Sequence, residues 1–389
     1  MAILKRPSVD AGTTSAVEGS DVASLSGDVL GEIIVRLPVK SVARSKCVSK
    51  GWCATIGDGY LRRRLPLHLS VAYFPDDHAR GGGPRFACAA AGERRLEDCG
   101  LAFFPFMKGA VVCDACNGLL LCRSAGAGAG AKPRFYVVDP VARRWAALPA
   151  PARDARLSVL AFDPLSSPHY RVVSFTRWRG RGAAVEVFSS EAWAWAARDV
   201  EFGVPADSLT AATLHFHGGA VYILSSDPGR AVVVRMDVSP DAGPACTAIE
   251  LPEPTDGGDG RVAHSGGRLH YVTSDRALLK VWALDESSPS CTAPRWRLKH
   301  AVKVADVMEG GKCRAREVRF LALHPEKDAV YLWTPWRLVE FDLGKKAITG
   351  AWEFGGKDQS EEKNRVVKTW LVPSSWYLSD CLDDGHVQC

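Results

Sequence analysis

The chain has 389 residues, with 47% of them hydrophobic, 24% charged and a formal net charge of +5. That length and balance exclude a peptide, a disordered tail protein and a fibrous chain, and predict more than one packed unit. No apolar run reaches membrane length, and the head lacks the apolar core of a secretory leader, so the expectation is a protein neither secreted nor embedded. Twelve scattered cysteines, several inside apolar runs, fit reduced thiols in the cytoplasm or nucleus rather than a secreted disulfide framework.

In chain order, residues 1–22 hold Lys5 and Arg6, followed by Pro-Ser-Val-Asp-Ala-Gly-Thr-Thr-Ser, and are predicted to be a disordered head. Residues 23–65 form the first unit. Val29, Leu30, Ile33, Ile34 and Leu37 recur at the spacing of one helix face, with Ser26 and Asp28 acceptable at its start. Pro38 has no amide hydrogen and disfavours helical geometry at Leu37, so the helix should stop there. Val39, Val42, Ala43, Cys47, Val48, Trp52 and Ile56 continue on helical spacing beyond the corner. Three helices in so short a span bury little, and the apolar face is expected to need a partner. Between residues 25 and 65 eight Arg or Lys stand against three Asp or Glu, an excess that suits an acidic protein; nucleic acid has no strong case.

These residues resemble the F-box in its plant form. The matching positions are Leu25, Asp28, Val29, Leu30, Glu32, Ile33, Ile34, Arg36, Leu37, Pro38, Lys40, Ser41, Val42, Arg44, Val48, Lys50 and Trp52. Ser26 stands where the family usually has proline, which is expected to loosen the helix start, and Ser49 where it often has cysteine. The resemblance implies docking on the Skp adaptor of SCF ubiquitin ligases, and through it on cullin. It assigns that contact to Leu25, Leu30, Ile33, Ile34, Leu37, Pro38, Val48 and Trp52.

From Leu67 to residue 355 short apolar runs alternate with glycine- and proline-rich turns, an all-β texture. Strands are predicted at 67–74, 118–122, 135–138, 170–175, 183–188, 220–225, 232–236, 268–273, 278–284, 329–333 and 337–341. Several of these runs end at a polar marker, Asp139, Ser189, Asp237, Asp285 or Asp342, and a run with Trp or another apolar anchor follows. Turns such as Asn117-Gly118, Gly218-Gly219 and Gly266-Gly267 precede an apolar strand upstream. Four-stranded units repeating at about 45 to 50 residues predict a β-propeller, with a two-sheet sandwich as the alternative. Five units are visible, and residues from Leu67 to about Phe106 supply a sixth, closed by pairing with a terminal strand. This region is similar to the kelch-like domains that follow the F-box in plant proteins. The fold class is therefore α+β multidomain: a small three-helix F-box and then a kelch-like propeller of about six blades, with seven the alternative count. Residues 356–389 are predicted to be a charged linker and tail, in which Val366 to Leu371 return as a last strand.

Candidate chemistry is sparse. Cys113-Asp114-Ala115-Cys116, with Cys122 nearby, has metal-knuckle spacing but no second pair, and reads as buried strand cysteines. His215 and His217 share a strand face, and His264 and His270, one repeat later, are placed to converge with them in a ring; surface or turn histidines are the favoured reading, and no metal or other cofactor is expected. Gly126 to Lys132 is followed by Pro133, which excludes a phosphate loop. Arg177, Trp178, Arg179 and Arg181 join cations to an aromatic and are the candidate edge of a target-binding face. No nucleophile elbow or zinc-protease helix is present, so no catalytic residue is expected. The combined reading is a non-catalytic substrate receptor of an SCF-type ligase holding an unidentified target. Its rivals are a propeller that binds a carbohydrate or small molecule or works as a metal oxidase, and an F-box scaffold acting outside ubiquitination.

Overall fold

The computed structural model describes residues 26–37, 39–57, 67–74, 85–90, 95–98, 101–107, 109–124, 133–140, 143–155, 157–164, 166–209, 214–225, 227, 230–239, 241–254, 260–275, 277–285, 295–307, 318–334, 337–354, 365–373, 382 and 387–388. The predicted head, Leu25, Pro38 and the glycine-rich loop after Ala125 lie outside them.

Three helices come first: α1 (Gly27–Ile34), α2 (Val39–Ser45) and α3 (Lys50–Gly57). Ser26 caps α1, its hydroxyl oxygen accepting the Val29 amide at 3.4 Å. Ser49 does the same for α3, accepting the Trp52 amide at 3.1 Å. Both departures from the F-box pattern therefore supply an N-cap, and Ser26 holds the helix start that the sequence expected it to loosen. The apolar face is also more closed than expected. Leu30, Ile34, Val42 and Ile56 are buried against one another, with Val35, Leu37 and Trp52 packed on the cluster.

The strands begin with β1 (Leu67–Phe74), β2 (Arg85–Ala90) and β3 (Arg95–Asp98). Five repeats of four then follow. They are β4 (Ala110–Cys116), β5 (Leu119–Ser124), β6 (Arg134–Asp139) and β7 (Arg144–Ala147); β8 (Leu157–Ala161), β9 (Arg171–Arg179), β10 (Gly182–Ser189) and β11 (Ala194–Glu201); β12 (His215–His217), β13 (Ala220–Leu224), β14 (Val232–Asp237) and β15 (Thr247–Glu250); β16 (Arg261–Ser265), β17 (Arg268–Ser274), β18 (Leu278–Asp285) and β19 (Arg295–Lys303); and β20 (Arg319–Leu323), β21 (Ala329–Thr334), β22 (Arg337–Asp342) and β23 (Ala347–Phe354). Each repeat is an antiparallel meander, and the polar markers Asp139, Ser189, Asp237, Asp285 and Asp342 all end the third strand. The turns Asn117-Gly118, Gly218-Gly219 and Gly266-Gly267 have positive φ at both residues, the geometry a two-residue hairpin loop needs.

Two strands complete the assembly from the far end of the sequence. β24 (Arg365–Pro373) pairs antiparallel with β1 from Leu67–Pro373 to Phe74–Arg365, and β25 (Val387–Gln388) pairs with β7. β24 contains the run Val366 to Leu371 that the sequence expects to return as a last strand, so the ring takes in residues beyond the boundary at 355. The first strands of the repeats touch in cyclic order, β4 to β8, β12, β16 and β20, then β24 and back to β4. That closed ring is a β-propeller.

Pairing divides the described strands into five sheets: three of four strands, one of five and one of eight. They are not six separate sheets because Glu353 and Phe354 of β23 pair in parallel with Arg95 and Leu96 of β3, which joins the β20–β23 half to the β24-β1-β2-β3 half.

The core lies between sheets rather than within one. One apolar cluster packs Phe175, Val185 and Phe202 against Val221, Ile223 and Val234. Another packs Leu121, Phe135 and Val137 against Leu160, Phe162 and Tyr170. Similar clusters join the remaining neighbours around the ring. Each fully buried Val, Leu or Phe contributes about 1.5 to 3 kcal/mol as an upper estimate, so neighbouring units stabilise one another. Outer-strand tryptophans fasten the same seams: Trp195 Nε1 donates to the Pro149 carbonyl and Trp296 Nε1 to the Glu250 carbonyl, both at 2.7 Å.

Candidate functional site

The helical unit presents a mixed surface. Val29, Ile33 and Val48 are 47%, 41% and 62% exposed, large apolar side chains left in water although a small core lies beneath them. Leu30 and Ile34 are at 5% and 0%, so the face assigned to adaptor contact is divided. Leu30 and Ile34 hold the helices together, Leu37 and Trp52 brace them half-buried, and Ile33 and Val48 face out. The sequence pattern places Val29 on the helix face but gives it no contact role, because periodicity cannot tell which rim of an apolar stripe a small cluster leaves uncovered. Arg36, Arg44 and Lys50 are exposed around this surface, and the Arg36–Glu32 pair at 3.9 Å lies in water, where it is worth little.

At the β9–β10 hairpin the aromatic is structural. Trp178 stacks on Phe175 with ring centroids 5.3 Å apart and packs on Phe202 at 5.6 Å. Arg179 pairs with Asp199 at 3.4 Å, and the Arg181 guanidinium donates to the Gly203 carbonyl. Arg177 is exposed beside them. The four residues are therefore held together at one tip, but two of the three cations are engaged by this chain.

Cys113 and Cys116 sit on β4, where a bulge at Cys113 interrupts the pairing with β5. The Cys116 thiol donates to the Phe162 carbonyl at 3.3 Å, and burial pushes the Cys113 thiol up to about 11, which makes it a poor thiolate. The pair belongs to the β4–β8 seam. There the Asp114 carboxylate accepts the Leu160 amide at 2.9 Å, and the Asn117 side-chain amide donates to Phe162 at 2.7 Å.

Three histidines do converge. His215 Nε2 lies 2.9 Å from His264 Nδ1, and the His217 ring stacks on His264 at 4.5 Å, joining β12 to β16. His270 is not among them; it is buried on β17 with Nδ1 3.0 Å from the Arg268 carbonyl oxygen. Among the described residues no group of three or more His, Cys, Asp or Glu is placed to hold a metal ion, and no helix is long and apolar enough to cross a membrane.

An F-box protein of Arabidopsis thaliana, At5g07610, is 30% identical over 170 residues, which span 42% of this chain and 39% of that protein. The putative F-box/kelch-repeat protein At1g15680 of the same plant is 26% identical over 362 residues, 84% of this chain and 83% of its own. A solved structure of TolB from Acinetobacter baumannii aligns with a TM-score of 0.44 at 9% identity, covering 79% of this chain and 66% of that one. Residues 102–374 match the family described as F-box protein At3g26010-like, beta-propeller, and that match spans the ring from ahead of β4 to the end of β24. This chain belongs to that family of plant F-box proteins with a β-propeller.

Proposed function

We propose that the chain is the substrate-recognition subunit of an SCF-type ubiquitin ligase, with its helices docking on the Skp adaptor, and through it on cullin, and its propeller holding a target protein. The observation that carries this reading is the exposed set Val29, Ile33 and Val48 on a unit whose own core is four buried side chains. Water contact at three large apolar groups on so small a module is the mark of a surface completed by association. The basic fringe of Arg36, Arg44 and Lys50 suits an acidic partner.

The propeller's part is positional. Rigid blades present loops, and holding a target beside a charged ubiquitin-conjugating enzyme raises its effective concentration without a catalytic residue in this chain. Counting the two halves of the eight-stranded sheet as separate blades, we read six around the ring, a kelch-like arrangement supported by the cyclic contact of β4, β8, β12, β16, β20 and β24. The cytoplasm or nucleus is the compartment this role requires. The test is co-purification of the full chain with a Skp adaptor and cullin. Recovery of both, lost in Ile33→Asp, supports the reading, and a chain that captures neither refutes it.

A further inference from the structure

Outer strands of a propeller are sheet edges, and an uncovered edge is a template for another chain. In this ring the outer edges are occupied unequally. β7 carries β25 on its outer side, Val387 opposite Ala146 and Gln388 opposite Trp145. β11 is bridged at Glu201, whose amide donates to the Pro244 carbonyl at 2.7 Å and whose carbonyl accepts the Cys246 amide at 2.8 Å. β23 pairs with β3, and β15 is only four residues long. β19 runs nine residues, Arg295–Lys303, ends its sheet, and pairs on its outer side with no strand among the described residues.

The composition of β19 is equally unequal. Arg-Trp-Arg-Leu-Lys-His-Ala-Val-Lys contains four Lys or Arg and no acid. Lys299 is paired with Asp328, which also lies 3.6 Å from His300. Arg295, Arg297 and Lys303 are exposed and form no ion pair among the described residues, and Leu298 is 44% exposed between them. Lysine and arginine on an edge repel a second basic edge and so discourage self-association. The same charges with free backbone donors and acceptors attract an extended acidic segment. β25 on β7 shows that an outer edge of this ring accepts a short added strand.

We propose that the outer edge of β19 is a docking strand for an acidic, extended segment of a partner protein. The segment adds to the sheet by main-chain hydrogen bonds and is selected by Arg295 and Arg297 on one face of the strand and Lys303 on the other. This rests on the receptor reading above and names the kind of target that reading leaves open. Recognition by strand addition requires an unfolded acidic stretch, so it favours tails and linkers over folded surfaces.

The experiment uses the full chain purified with its adaptor and a capped, fluorescent nine-residue peptide of three Glu-Glu-Val repeats, which carries acids on both faces of a strand. Anisotropy should show saturable binding that weakens about tenfold or more when salt is raised from low to high concentration. Binding should weaken by a similar factor in the triple variant Arg295→Glu, Arg297→Glu, Lys303→Glu. The same peptide with alternate backbone nitrogens methylated should not bind the parent protein, a control that needs no variant. The absence of parent binding, equal binding by a folded triple variant, or equal binding of the methylated peptide would overturn the proposal. Adaptor retention is read in the same samples. Loss of peptide with adaptor retained supports the docking strand, whereas a parent that binds peptide but never retains adaptor keeps the strand and sinks the ligase reading.

Discussion

Leu69 of β1 and Leu371 of β24 stand directly opposite each other in an antiparallel pair whose two strands come from the beginning and the end of the propeller sequence. β24 is also the strand that touches both β4 and β20, so this one pair closes the ring. A chain stopped at residue 364 should lose the closure. With each net hydrogen bond worth about 0.5 to 1.5 kcal/mol, loss of the β1–β24 ladder is on the order of the whole stability of a domain. Thermal unfolding followed by circular dichroism should lose its single cooperative transition, and a truncated chain that melts like the parent would contradict the role given to β24.

The helical unit separates contact from scaffold. Ile33→Asp and Val48→Asp place a charge on surface that is already wet, so adaptor capture should fall at least about tenfold with little change in melting temperature. Leu37→Asp and Trp52→Ala touch the small cluster itself and should loosen the helices as well, visible as lost helical signal. If all four behave alike, the division between outward and inward side chains is wrong.

Two buried histidines make stability depend on pH. Burial holds His270 and His324 down to about 4, against an ordinary value of 6.5. His324 Nδ1 accepts the amides of Glu326 and Lys327, each at 3.0 Å, so it must be unprotonated in the fold. Because the folded values are lower, the unfolded chain binds more protons between the two. The stabilisation is complete above about pH 6.5 and is lost as pH falls toward 4. Each residue should account for about 1 to 3 kcal/mol of that loss. Urea midpoints measured at pH 7 and pH 5 should differ for the parent, and His324→Gln should flatten the difference.

The β4–β8 seam includes one buried carboxylate. Asp114 is buried and accepts the Leu160 amide at 2.9 Å, so Asp114→Ala leaves that donor without its partner and should cost about 1 to 3 kcal/mol. The readout is the denaturation midpoint. An unchanged value would show that the seam is held by its apolar contacts alone.

Much of the ring was legible because its second and third strands are buried on both faces and appear in sequence as apolar runs. Ala220–Leu224 and Val232–Asp237 are found within a residue of where the pattern puts them. Outer strands were harder. β11 and β19 are largely exposed and lack such a run, so only the tryptophan after each polar marker betrays them, and its indole turns out to fasten the neighbouring repeat. Two-residue β25 leaves no periodic trace. At the β9–β10 tip the sequence displays the cations but not Asp199 or the Gly203 carbonyl, which reach them only through the fold. His215 and His264 share a similar history: the strand-face rule groups His215 with His217, while their meeting with His264 depends on two inner strands lying side by side.

Because β1 waits for β24, a ribosome making this protein releases its parts in a fixed order. The helices between Gly27 and Gly57 emerge first with a nucleus of their own, while the ring has no final stave until residue 373 has left the exit tunnel. Translation that halts early therefore yields a handle without a cup, a fragment that keeps the exposed helical surface and lacks the closed ring of blades.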